Sequence, residues 1–326
     1  MRVPTPRGPC TIREAQPQDT PAIAALWQAA FGRPLDLDIW RWKYSGPFGA
    51  HTTVCIAPDG TLAAAFPTVP IPARVDGQPT TLELAMDSAS HPAWRDLMLG
   101  RGGLFARTAQ AHFAQATGRG VLGLYGFPGP RHFRLGQRLL GYQPCTGQPV
   151  LRTGTPSLPL LPWVRLVPWE PGQDLSCIHD LDARLGPPTA ACRTHAFLTW
   201  RFRTHPTARY QLWLVRTVRR TVGFLVTRAG KDRTRIVDLL LPQDPGMVRA
   251  SLARLAQQAH QPLELWLPAT HPLTALAQGA GLSPTTEPIG ATAAFRPLGP
   301  GAAALARLGY TLADTDVDSV GLLEKN

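Results

Sequence analysis

The sequence predicts an α/β protein made of two successive domains of one design. Three observations carry this. An alternating run sets Leu82, Leu84 and Met86 against Glu83, Ala85 and Asp87, as a strand does, and empties into a loop containing Gly100, Arg101, Gly102 and Gly103 before an amphipathic helix. The quartet Trp40-Arg41-Trp42-Lys43 returns as Trp200-Arg201-Phe202-Arg203, each time followed by a polar, proline-containing gap and a pair of strands. The length of 326 residues exceeds one ordinary domain, and a hydrophobic content of 44% suffices for globular cores.

The elements follow in order. Asp19-Thr20-Pro21 is a helix start, with Thr20 as cap and Pro21 in the first turn; Ile23, Trp27, Ala30 and Phe31 make the apolar face. Strands at 52–57 and 61–69 turn at Pro58-Asp59-Gly60. After the glycine loop, Phe105, Ala109, Phe113 and Ala116 recur at helical spacing until Gly118 and Gly120 stop the helix. A strand at 121–125 reaches Gly126, Phe127 and Pro128, and a further helical run closes at Gly141-Tyr142.

The second copy repeats the order, with strands at 210–216, 221–228, 234–241 and 263–267 and helices at 245–259 and 273–279. Gly281-Leu282 takes the place of Gly141-Tyr142. The glycine loop has no counterpart: Leu241-Pro242-Gln243-Asp244-Pro245-Gly246 removes two backbone donors and adds a carboxylate that repels phosphate. The apolar, proline-rich stretch 153–171 reads either as an extended strap across the junction or as an edge strand of the first domain, and 291–295 as a late strand. The expected division is 1–152, a connection at 153–175, and 176–326.

A glycine-rich turn at a helix start exposes backbone N–H groups that lack intrahelical partners, and the helix dipole adds partial positive charge there. Such a place binds phosphate. The net charge of +11 is almost wholly arginine, since Lys43, Lys231 and Lys325 are the only lysines. Scattered arginines, tightest at Arg216, Arg219 and Arg220, do not form the dense stripe that nucleic acid requires. The five cysteines form no C-x-x-C pair and no metal-like spacing with histidine, and no nucleophile triad is spelled out. No long apolar run or leader opens the chain, so a cytoplasmic setting without membrane attachment is expected. Asp314, Asp316 and Asp318 alternate as a solvated acidic face.

The order of strand, glycine loop, helix, strand and short helix resembles the acetyl-coenzyme A core of the GNAT superfamily of N-acetyltransferases over roughly residues 10–150. Ser88-Ala89-Ser90-His91-Pro92-Ala93-Trp94-Arg95 is similar to that family's fourth strand leaving through a His-Pro pair toward the pyrophosphate loop. With Gly103 as the central glycine, Gly100 stands where the family has Arg or Gln, and Phe105 replaces the final small residue. The resemblance implies two tandem domains, each a mixed, largely antiparallel twisted sheet flanked by helices, the first binding acetyl-coenzyme A and the second degenerate. It implies coenzyme contacts from Ser88, Ala89, Ser90, Gly100, Arg101, Gly102, Gly103 and Leu104, with no metal. Trp40, Trp42, Tyr44 and Phe127 are implied for the acceptor groove; for the tryptophans, packing at a helix end is the competing role. Glu83 is the first candidate base and Asp87 the second. Gln137 and Arg138 occupy the place of the family's frequent tyrosine acid, leaving Tyr125 and Tyr142 as candidates. The implied function is acetyl transfer to a primary amine of a small molecule or amino sugar; the alternative is a non-catalytic ligand- or partner-binding protein.

Overall fold

The computed structural model describes residues 1–98, 100–157, 161–170, 176–285 and 290–315. Contacts divide it into two units, the first made of Met1–Pro72, Pro79–Pro144 and Ala294–Leu305, the second of the remaining described chain.

The first unit opens with β1 (Arg2–Val3) and β2 (Cys10–Glu14), then α1 (Thr20–Phe31) and α2 (Leu37–Tyr44). Asp19, rather than Thr20, is the N-cap residue of α1, and Gly32 ends the helix at φ 70°. The Asp36 carboxylate caps α2 by accepting from the N–H groups of Asp38 and Ile39. Next come β3 (His51–Ile56), β4 (Leu62–Val75), β5 (Gln78–Ala85), the two-residue β6 (Ala89–Ser90), α3 (Leu104–Gly118), β7 (Gly123–Gly126), α4 (Pro130–Leu140) and β8 (Gln143–Pro144). Of the apolar stripe of α3, Ala109, Phe113 and Ala116 are buried with Phe66, Leu124 and Leu140, while Phe105 is only partly buried against them and Ala106 takes the enclosed place. The loop before α3 contains a 3-10 turn, Pro92–Met98, anchored by buried Trp94.

The second unit continues with β9 (Pro149–Gly154), β10 (Arg165–Pro168), α5 (Ser176–Leu185) and β11 (Ala190–Ala191), which pairs with Ala73 and Arg74 of the same unit. Then follow α6 (His195–Leu198), β12 (Gln211–Arg216), β13 (Thr221–Ala229), β14 (Thr234–Leu240), α7 (Pro245–Ala259), β15 (Leu263–Pro268), α8 (Leu273–Gly279) and β16 (Ser283–Thr285), after which β17 (Ala294–Pro297) returns to the first unit. Val248, Leu252 and Leu255 of α7 are buried against Leu225, Ile236 and Leu265 of the sheet.

The two sheets show the duplication directly. The first runs β1-β2-β3-β4-β5-β7-β17-β8, the second β10-β12-β13-β14-β15-β9-β16. In each, one parallel pair, β5 with β7 and β14 with β15, interrupts an otherwise antiparallel ladder. In each, the strand beyond it comes from the other half: β17 lies between β7 and β8, and β9 lies between β15 and β16. The expected boundaries shift accordingly. Residues 149–154 belong with the second unit, and the late strand, Ala294–Pro297 rather than 291–295, belongs with the first. The stretch 153–171 is neither a strap nor an edge strand of the first domain, for its described part finishes β9 and supplies β10, the edge of the second sheet. Two copies of one design offer the same slot in each sheet, and local pattern does not say which slot a strand enters.

The quartets do not superpose residue for residue. Lys43 is buried and Arg41 exposed, whereas Arg201 is buried and Arg203 exposed, because Thr199–Arg203 winds as a π-helix that advances the backbone relative to an α-helical turn. Among the described residues no helix is long and apolar enough to cross a membrane.

Candidate active site

The site forms where the parallel pair comes apart. Leu82, Glu83 and Leu84 pair with Gly123, Leu124 and Tyr125, and at Gly126 the backbones are so close that a Cβ would meet the Ala85 carbonyl oxygen at 2.9 Å. Beyond this the strands diverge. The β5 chain bends onto β4, so that Ala89 and Ser90 pair with Ala65 and Ala64, while β7 turns through Phe127 into α4. The Asp87–Ser90 segment is thus paired on one edge only among the described residues, leaving an edge that an extended chain can join as a strand does. Sharp divergence requires an unusual residue: Asp87 sits at φ 53°, sparsely populated for a side chain with a Cβ.

The segment then leads to the start of α3. Gly103 is the N-cap residue, with no side-chain cap, and its N–H bonds the Gly100 carbonyl at 3.2 Å. Gly100 needs its φ of 69°, and a Cβ on Gly102, which is exposed, would meet open space. The N–H groups of the first α3 turn therefore stand without an intrahelical partner beside Arg101 and Arg107. The Arg107 guanidinium donates to the Gly102 carbonyl at 2.9 Å, so it closes one side of the loop.

The second copy replaces both features. The Asp244 carboxylate accepts from the Met247 N–H at 2.7 Å, so the α7 start already holds an anion of its own. Where β14 leaves β15 beyond Ile236, Thr311 donates to Asp238 on β14 while the Tyr310 ring lies 5.6 Å from Trp266 on β15. Buried Arg193 donates to Asp238 at 2.8 and 3.0 Å and to Asp314 at 2.7 and 2.8 Å. Asp314, read from sequence as part of a solvated face, is an internal anion; Asp316 and Asp318 lie outside the described residues.

The two candidate carboxylates do not share a face. Asp87 accepts from Lys43 Nζ at 2.9 Å and from the Tyr44 hydroxyl at 2.8 Å, both on α2. Glu83 points to α3: it is fully buried, and its oxygens meet His112 Nε2 at 2.8 Å, Thr68 Oγ1 at 2.8 Å and Arg119 at 2.9 Å. The left-handed turn at Asp87 breaks the alternation on which the shared face rested. Burial pushes the Glu83 carboxyl up, but the hydrogen bonds and charge of His112, Arg119 and Thr68 outweigh it and hold the pKa at about 2. A base this weak, enclosed by its own partners, suits structure rather than proton removal at neutral pH.

Because the folded value lies below the ordinary 4.5, Glu83 stabilises the fold above about pH 4.5, and this is lost as pH falls toward 2. The contribution is about 3 kcal/mol by linkage. Glu83→Gln should remove it and flatten the acid limb of a urea-stability profile between those values; an unchanged limb would refute the assignment.

The remaining candidates separate cleanly. Tyr44 is at the opening through Asp87, and its ring lies 4.1 Å from Trp40. Trp40 and Trp42 are buried on α2, the packing role that competed with groove lining. Tyr125 is buried at the end of the parallel pair, edge-on to Phe127 at 6.4 Å. The Tyr142 ring folds back on α4, where a Cβ on Gly136 would overlap it, and burial raises its hydroxyl pKa. Sequence reasoning missed Lys43 as the partner of Asp87, although one of only three lysines in an arginine-rich chain was a usable signal. No cluster of three or more metal-ligating side chains occurs among the described residues.

No protein-family model matches the sequence, and no curated protein matches it. Solved structures do match. A conserved protein from Enterococcus faecalis V583, described as a probable N-acyltransferase, aligns with 89% of this chain and 72% of its own at 13% identity and TM-score 0.71. A GCN5-related N-acetyltransferase from Anabaena variabilis gives 14% identity over 89% and 73%, with TM-score 0.70. The fold is that of the GNAT acetyltransferases. A tandem GNAT protein from the clavulanic acid biosynthesis pathway matches 89% of this chain and 99% of its own at 14% identity and TM-score 0.55, so similarity to GNAT structures extends through both copies. In GNAT terms, the diverging β5 and β7, the Asp87–Ser90 edge and the uncapped α3 start fall in the first copy.

Proposed function

We propose that the protein is an N-acetyltransferase that moves acetyl from acetyl-coenzyme A to a primary amine of a small molecule or amino sugar, using the first copy alone. The observation that carries this is the contrast between the helix starts: α3 offers unpartnered N–H groups at an open glycine turn, while α7 is capped by Asp244. On this reading the coenzyme diphosphate lies at Gly100, Arg101, Gly102, Gly103 and Leu104, and its extended arm adds to the edge at Ser88, Ala89 and Ser90. The acceptor approaches from the side of Tyr44 and Phe127.

Asp87 takes the proton of the acceptor ammonium, directly or through water. The freed amine attacks the thioester carbon, the carbonyl oxygen becomes an oxyanion facing main-chain N–H, the carbonyl re-forms as the C–S bond breaks, the thiolate leaves and takes a proton, and the second proton of the attacking nitrogen returns to the group that gave it. Tyr125 is the hydroxyl best placed to give that proton, since it ends the parallel pair at the opening.

Acetyl-coenzyme A at ~100 times its dissociation constant should add ~2.7 kcal/mol of stability, and an amine panel should release free thiol. Gly102→Glu should abolish the stabilisation by placing bulk and charge at the phosphates, whereas Gly246→Glu should leave it intact. Stabilisation without thiol release for any amine would mean a non-catalytic binder; no stabilisation would end both readings.

A further inference from the structure

A cavity of about 240 Å³ lies between α3 and α4 in the first unit, and its polar lining is entirely cationic or neutral: Arg101, Arg138, Arg296, Gln110 and Gln137. Acidic residues are absent from it, and among the described residues neither Arg101 nor Arg138 carries an ion pair or side-chain hydrogen bond. Arg296 arrives on β17, the strand supplied from late in the sequence, and its guanidinium lies 5.4 Å from the centre of the Phe113 ring. Its Nε is buried without a hydrogen-bond partner. The space beside it exists because residue 141 is glycine at φ 71°, where a Cβ would come within 3.1 Å of the guanidinium. A buried donor left unmet is costly, and three guanidiniums without counter-charge in one pocket repel one another. A ligand bearing several anionic oxygens relieves both, and the planar guanidinium fork matches phosphate oxygens two at a time.

We propose that this cavity is a second anion site, for a phosphate monoester. It adjoins the diphosphate grip at the α3 start, with which it shares Arg101, and extends from there along α3 to Phe113, nine residues into the helix and about 13 Å along its axis. The phosphate belongs either to the ribose of the coenzyme or to a separate phosphorylated small molecule. The site itself stands whether or not acetyl transfer is right.

The test is calorimetric titration with inorganic phosphate at constant ionic strength. In a Gly102→Glu background, where the α3 start no longer takes phosphate, Arg138→Gln, on an exposed part of α4, and Arg296→Gln should each weaken the remaining binding tenfold or more. Unchanged phosphate affinity in both arginine variants, or loss in Gly102→Glu alone, would overturn the proposal. Competition then identifies the source. Phosphate displaced by coenzyme A but retained with 3′-dephospho-coenzyme A marks the ribose phosphate as occupant, and retention with both marks a separate molecule. Displacement by both would place the phosphate in the diphosphate grip and overturn the second site.

Discussion

Arg193→Met should destabilise the protein by about 3–5 kcal/mol at neutral pH, because it leaves two internal carboxylates with no cation between them. Arg193 holds Asp238 and Asp314 through four hydrogen bonds, its backbone N–H donates to Asp182, and its side chain also meets Thr311 and the Ala191 carbonyl. Burial raises the Asp238 pKa, and the Arg193 charge and hydrogen bonds oppose that rise without cancelling it. The sign of the pH effect is therefore set. A carboxyl raised in the folded state favours folding most when protonated, so it loses stabilising effect as pH rises through its range. Without Arg193 the rise should be larger, and the deficit of the variant should shrink on acidification. Urea unfolding of both proteins from pH 7 down to pH 4 reads this directly. A loss under about 1 kcal/mol, or a deficit that grows on acidification, would show that these carboxylates do not depend on Arg193.

Asp87→Asn should lower kcat/KM for acetyl transfer by about 10²- to 10⁴-fold, the usual worth of a positioned base, while leaving stabilisation by acetyl-coenzyme A in place. Asparagine keeps the shape and the acceptor for Tyr44 but cannot take a proton, and it leaves the Lys43 ammonium, only 2% exposed, without its carboxylate. Activity within threefold of the unaltered enzyme would remove Asp87 from the chemistry. Glu83→Gln is the paired measurement, since its effect should fall on acid stability rather than on the pH dependence of rate.

The contrast between these carboxylates marks how far sequence reaches. Both fall in one alternating run of sequence at even spacing, and alternation alone assigns them to one face, although the strand itself ends at Ala85. The assignment fails at a single backbone angle, the φ of 53° at Asp87, which swings that residue to α2 while Glu83 stays with α3. Aspartate tolerates the left-handed region better than most residues, so its presence at a strand end was a faint signal. The partners that define the two roles lie 29 to 44 residues away, at His112 and Lys43, and no local pattern links them.

The sequence by itself determined the principal strands and helices of both copies, their order, and that an aspartate caps the start of α7 while a glycine turn precedes α3, because alternation, helical spacing, glycine turns and an aspartate cap act within a few residues. Only the tertiary structure decided that β9 and β17 enter the opposite sheets, that Arg193 joins segments 45 and 121 residues distant, and that Arg296 reaches the α3–α4 cavity. Those outcomes depend on pairing between remote strands, and two equivalent slots make the choice a matter of the whole fold rather than of any local run.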